Sequence, residues 1–197
     1  MKAEHKVAMA TAAVLSTLGA GSLLALPNKP KSEVAQAVAV SEEIIVPVSG
    51  VSVDKLSDTW GSPRSGGRAH QGIDIFAAQG TPVRATAAGK IAKLYLSKRG
   101  GITIYQTSED GAFVFYYAHL NGYASNLKVG LPVAQGQVIG YVGQTGNAPV
   151  PHLHFEIQTA SAGRQWWKGV AMNPYPPLKA GKVEVTAAPV SLAGSVP

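Results

Sequence analysis

The stretch VPHLHFEIQ, residues 150–158, decides the fold. On a β-strand successive side chains point to opposite faces, so Leu153, Phe155 and Ile157 form one apolar row while His152, His154, Glu156 and Gln158 form the other. The apolar row is suited to a core and the other carries two imidazoles side by side. Working outward, the apolar runs stay short and are separated by turn residues: 90–96, 101–106, 113–118 and 137–142. Residues 98–101 and 109–111, the latter with an Asp-Gly pair, suit hairpin connections between consecutive strands. After Leu26 no segment of ten or more residues has a 3.6-residue period, and no internal repeat stands out. The expectation is an all-β fold, mainly antiparallel sheets in a compact, sandwich-like domain.

At 197 residues the chain suits one catalytic domain with room for a core. The formal net charge is +6, and setting aside Lys2, Lys6 and Glu4 with residues 1–26 lowers it to +5. The basic residues are scattered rather than clustered, which argues against nucleic acid and fits an anionic polymer. There is no cysteine, which excludes disulfides, thiolate ligands, a cysteine nucleophile and a lipidated cysteine anchor. Residues 1–6 are short and basic, and residues 7–26 run without a charge, so 1–26 reads as a signal peptide or membrane helix and the protein as exported. Residues 27–48 read as a linker whose end, 44–48, has strand character. Residues 49–177 read as the domain, and 178–197 as a disordered tail.

Four of the five histidines fall in compact motifs of the domain. In RAHQGIDIF, His70 and Asp74 are four apart, one face of an extended chain, and could share a divalent metal or simply bond each other. In FVFYYAHL, alternation groups His119 with Phe113, Phe115 and Tyr117, at the strand's end. Alone, His119 reads as a partly buried structural histidine. Together the motifs predict one imidazole-rich site with more candidates than the three protein ligands of a catalytic zinc require, leaving imidazoles for proton transfer. Arg68 is a candidate for substrate contact, Tyr116 or Tyr117 for a hydroxyl donor, Glu156 for orienting an imidazole, and Trp166 and Trp167 for a groove rim. Asn147 reads as a turn residue near His152.

The order HQGID, YYAHL, HLHFEI resembles the lysostaphin-type zinc endopeptidases of peptidoglycan. The likeness extends to flanking context such as GTPV at 80–83 and GQVIGYVGQTG at 136–146. It implies a duplicated hybrid-motif fold, one Zn2+ per chain on His70, Asp74 and His154, and a catalytic pair of His119 and His152. It further implies peptide stems of peptidoglycan as the substrate and a location in the periplasm or envelope. Two alternatives remain at this level. A wall-binding or hydrolase-activating module of the same fold would need no surplus imidazoles, and a lipoyl-type carrier would need a lysine at a hairpin tip that the chain lacks. No G-x-S-x-G and no H-E-x-x-H motif is present.

Overall fold

The computed structural model describes residues 39–161 and 168–186, all within one compact unit. The strands are β1 (Ala39–Glu43), β2 (Pro63–Arg64), β3 (Arg68–Ala69), β4 (Ile73–Phe76), β5 (Pro82–Arg84), β6 (Gly89–Ser97) and β7 (Gly101–Ser108). They continue with β8 (Phe113–Leu120), β9 (Gly122–Tyr123), β10 (Pro132–Val133), β11 (Val138–Tyr141), β12 (His152–Thr159), β13 (Ala171–Met172) and β14 (Lys182–Thr186). Among the described residues a 3-10 turn spans Val53–Lys55, and a single α-helix, α1 (Tyr175–Ala180), precedes β14.

The largest sheet has seven strands in the order β10-β6-β7-β8-β12-β13, with β4 also on β12, and its pairings are antiparallel. Strand β12 is its branch point, pairing with three other strands. One edge of β12 pairs with β8, and the other pairs first with β4 and then with β13. The row predicted to face the core does so: Leu153, Phe155 and Ile157 are fully buried beside Ile73, Phe113, Phe115 and Tyr117. Burial of such side chains contributes about 1.5–3 kcal/mol each, which fixes the register, because a slip of one residue would turn the whole row to the other face.

A three-stranded sheet, β5-β11-β9, contributes Val83 and Ile139 to the same core. Gly140 lies where it meets the large sheet; a Cβ there would stand 3.4 Å from Leu120 Cδ1 and 3.5 Å from Ile104 Cδ1. Buried polar groups between the layers are paired. Tyr117 Oη donates to Gln106 Oε1 (2.6 Å) and accepts from Thr86 N (3.0 Å), and Gln106 Nε2 donates to Ala87 O (2.7 Å).

The structure corrects the sequence reading at both ends of the domain. Part of the expected linker, residues 39–48, is folded: β1 pairs with β14 from Ala39↔Thr186 to Glu43↔Lys182, and Ile44, Val46 and Val48 are buried in the core. Part of the expected tail, 178–186, is folded as well, since Leu178 of α1 and Val183 of β14 are buried. Residues 182–186 alternate apolar and polar residues while 39–48 place an apolar run after two glutamates, and neither strand can bury a face without the other, so neither reads as domain in isolation. The apolar segment read as signal or membrane helix lies outside the described residues. Among the described residues no helix is long and apolar enough to cross a membrane.

Candidate metal centre and its histidine pair

The polar face of β12 is the floor of the site. Asp74 stands opposite His154 in the β4–β12 ladder, and residues so paired have Cβ atoms about 4.5–5.5 Å apart on the same face. His70, just before β4, joins them because the short β2–β3 ribbon holds its backbone, with His70 N donating to Ser62 O (3.0 Å) and His70 O accepting from Gly61 N (2.9 Å). The three converge closely: His70 Nε2 lies 2.8 Å from His154 Nδ1 and 3.2 Å from Asp74 Oδ1, and His154 Nδ1 lies 3.3 Å from the same oxygen.

The protons on these rings are assigned by their outer partners. His70 Nδ1 donates to Thr59 O (2.7 Å), and His154 Nε2 donates to Glu156 Oε1 (2.8 Å). Neutral imidazole has one N–H, so the inner nitrogens, His70 Nε2 and His154 Nδ1, are both lone-pair acceptors. Two lone pairs and a carboxylate oxygen thus converge with no hydrogen among them, an arrangement that repels unless a cation sits in its middle. Zinc binds nitrogen and oxygen at about 2.0–2.2 Å, which sets tetrahedral ligands about 3.3–3.6 Å apart. Two edges of the observed triangle, 3.2 and 3.3 Å, are close to that spacing and the His70–His154 edge, 2.8 Å, is shorter; the donor set fits a divalent metal. Outer acceptors on both imidazoles are the arrangement that orients metal-bound histidine.

His119 and His152 complete the cluster, with ring centroids 4.8 Å apart. His152 follows from strand alternation. His119 does not, and here the sequence expectation is corrected: it does not share the buried face of Phe113, Phe115 and Tyr117. Between Ile104↔Tyr117 and Ile102↔Leu120 the β7–β8 ladder accommodates one extra residue of β8, and His119 has φ 62°. This bulge turns the ring to the site face beside Ala118, its centroid 5.9 Å from that of His154. One loop then holds both rings of the pair. His119 Nδ1 donates to Thr145 O (2.8 Å), while His152 N donates to Gly143 O (3.2 Å) and its Nδ1 to Val150 O (2.8 Å). Each ring thereby presents an unprotonated Nε2, and that of His152 lies 3.6 Å from Asp74 Oδ1.

Residues 68–174 match the family model described as Peptidase family M23, more than half of the chain. The chain belongs to peptidase family M23. It is 37% identical over 131 residues to the L-Ala--D-Glu endopeptidase of Bacillus subtilis, covering 62% of this chain and 39% of that protein. To the glycyl-glycine endopeptidase ALE-1 of Staphylococcus capitis it is 40% identical over 111 residues, 56% of this chain and 29% of the relative. The matched region is thus well under two thirds of these relatives' length. The catalytic domain of the antimicrobial peptidase lysostaphin from Staphylococcus simulans superposes with a TM-score of 0.55 at 36% identity, over 64% of this chain and 95% of that domain.

In this M23 site the remaining candidates separate. Glu156 bonds His154 as expected, and its second oxygen accepts from Gln158 Nε2 (2.7 Å). Tyr116 faces the site, its ring edge-on to His154 with centroids 6.0 Å apart, whereas Tyr117 is buried in the core. Arg68 and Asn147 line the cleft, which has a volume of about 260 Å³. Trp166 and Trp167 lie outside the described residues. Two groups that the motifs did not single out also serve the site. Arg64 Nη2 pairs with Asp74 Oδ2, the carboxylate oxygen turned away from the cluster, and Thr59 accepts from both His70 Nδ1 and Asp74 N through its carbonyl and hydroxyl oxygens. Both contacts span ten or more residues, so no local spacing announces them.

In the metal-free site the electrostatics act differently on each member. Burial would raise the Asp74 carboxyl, but its close contacts with His154, His70 and the Arg64 guanidinium outweigh it and hold the group well below the usual carboxylate range. For His154, burial would lower the pKa and the neighbouring Asp74 and Glu156 outweigh it, raising it above the ordinary imidazole value. His119 goes the other way, pushed down to about 4 mainly by burial, so it is neutral at pH 7.

Proposed function

We propose that this protein is an exported zinc endopeptidase that hydrolyses peptide cross-links of bacterial peptidoglycan. The observation that carries the metal assignment is the proton-free triangle of His70 Nε2, Asp74 Oδ1 and His154 Nδ1, together with the outer hydrogen bonds that fix both tautomers. The peptidoglycan assignment is supported by the family and by relatives named for endopeptidase activity. An exported location follows from such a substrate and accords with the apolar N-terminal segment.

His70, Asp74 and His154 would hold one zinc per chain, which when bound lowers the pKa of its water and polarises the scissile carbonyl. The work of the protein is then proton transfer and orientation. His119 and His152 each present an unprotonated Nε2 to the cleft, and one of them accepts the proton of the attacking water. The ring that carries the proton becomes a donor and can return it to the leaving amine. The other ring, beside it, reaches the oxyanion through a bridging water that donates one hydrogen to its Nε2 and the other to the oxyanion. Carbonyl oxygens of Thr145 and Val150 keep both rings in the required tautomer.

The test is mass spectrometry of fragments released from purified peptidoglycan by the purified protein, before and after chelation and after zinc is restored. The expected result is release of shortened peptides that chelation abolishes and zinc restores, with one equivalent of metal per chain. Release that survives chelation would overturn the metal assignment. Bound zinc without any release would assign the protein to the wall-binding or hydrolase-activating modules instead.

A further inference from the structure

Five side chains with formal charge line the cleft: Arg64, Arg68, Arg99, Asp74 and Glu156. Both carboxylates are already engaged, Asp74 by Arg64 and the imidazoles, Glu156 by His154 and Gln158. Arg68 and Arg99 are exposed, and among the described residues neither has a carboxylate within ion-pair distance; Arg68 only donates through Nε to Ser65 O (3.2 Å). They belong to separate elements of the lining. Arg68 is on the β2–β3 ribbon that carries the chain into His70, and Arg99 is in the β6–β7 turn, whose Gly100 O accepts from His119 N (2.7 Å).

The β2–β3 register sharpens the point, because it sets Arg64 opposite Arg68. Like charges directly opposite on a ladder are unfavourable. Arg64 relieves its share through Asp74, while Arg68 has no such partner. When a divalent cation is held by His70, Asp74 and His154, its charge adds to that of the three arginines and exceeds that of the two carboxylates, leaving the lining strongly positive. An uncharged peptide would leave this excess uncompensated; a peptide with its own carboxylate would not.

We infer that the cleft selects peptides carrying a free carboxylate within a residue or two of the scissile bond, with Arg68 and Arg99 as the residues that read it. The inference rests on the endopeptidase reading above and names its substrate class: anionic stem peptides rather than neutral glycine bridges. Guanidinium matches carboxylate in a two-pronged geometry, and because both arginines are solvent-exposed the preference must weaken as salt rises.

Two synthetic peptides that differ only in a free carboxylate against a carboxamide beside the scissile bond test this with the zinc-loaded full chain. Turnover is followed by chromatography and binding by fluorescence anisotropy. The expected preference for the free acid is roughly tenfold or more in kcat/KM, as for hydrogen bonds to a charged group, and resides mainly in KM. In the Arg68→Gln/Arg99→Gln double variant the ratio should fall towards one. Because the ratio compares two peptides on one protein, partial misfolding does not imitate that result. Equal handling of both peptides by the wild type, or a ratio that survives in the double variant, overturns the inference. If neither peptide is cleaved, the endopeptidase reading fails, and the anisotropy ratio still decides: a retained preference sustains the carboxylate site and equal binding removes it.

Discussion

Strand β12 and the end of strand β8 both deliver histidine to the cleft, and they do so by opposite local rules. In β12 the pleat does everything: His152 and His154 are two apart, their intervening Leu153 is fully buried, and pairing with β4 sets Asp74 beside His154. In β8 the same pleat would have buried His119 with Tyr117, and only the bulge with φ 62° at His119 turns it out. A regular strand places side chains that must converge in a rigid triangle. A bulge re-aims one side chain at a local conformational cost and needs outside support, here the hydrogen bond to Thr145 O and the packing of the 143–147 loop on the 99–101 turn. That packing is tight, since a Cβ at Gly101 would stand 2.1 Å from Thr145 Oγ1 and one at Gly146 would stand 2.1 Å from Arg99 O.

The comparison can be broken most severely on the β12 side. Replacing His154 with Ala removes a ligand, so zinc measured by atomic emission should disappear from the purified protein, and peptidoglycan release should fall to the background of the heat-inactivated control. On the β8 side His119→Gln should separate the two functions. Zinc content should stay at the wild-type level while kcat drops by about 10²–10⁴-fold, the usual range for a lost general acid or base. Zinc lost along with activity in that variant would mean that the bulge, too, positions a ligand.

A smaller effect belongs to the outer contact of β12. Glu156→Gln weakens the acceptor on His154 Nε2, and competition with a chromophoric chelator should show zinc affinity reduced by roughly 10–100-fold. An unchanged affinity would show that the pleat alone orients His154.

The smallest effect concerns acid stability of the metal-free protein. The His119 pKa is depressed from 6.5 to about 4, so between these values the unfolded chain binds a proton that the folded one does not. Stability is therefore lost as pH falls through that window, by at most about 1.4 kcal/mol per pH unit. His154, shifted upward, contributes with the opposite sign. The difference between wild type and His119→Gln in urea unfolding at several pH values isolates the first contribution, and the variant should lose less stability on acidification.

What could be read from sequence follows the same division. The central strands, their hairpins and the two local pairs, His152 with His154 and His70 with Asp74, were legible because each rests on spacing within a few residues, whereas the meeting of His154 with His70 and Asp74 was implied only by the family resemblance. The membership of His119 in the cluster was also legible from its motif, but its face was not, since a bulge is decided by the ladder with β7. Arg64 and Thr59 were missed because their partners are brought to them by the fold. The β1–β14 pairing was missed for the same reason on a larger scale, as its two halves stand at opposite ends of the domain sequence.

That pairing has a mechanical consequence. Ala39 and Thr186 are partners in the same antiparallel ribbon, so the chain enters and leaves the described domain side by side. Tension applied between these two points would open the ribbon as a zipper, one rung after another, each rung bearing the force almost alone. The seven-stranded sheet with Asp74 and His154 would carry no load until the last rung, Glu43↔Lys182, had parted, so a domain stretched between its two ends would yield first at its margin and keep its cleft in register.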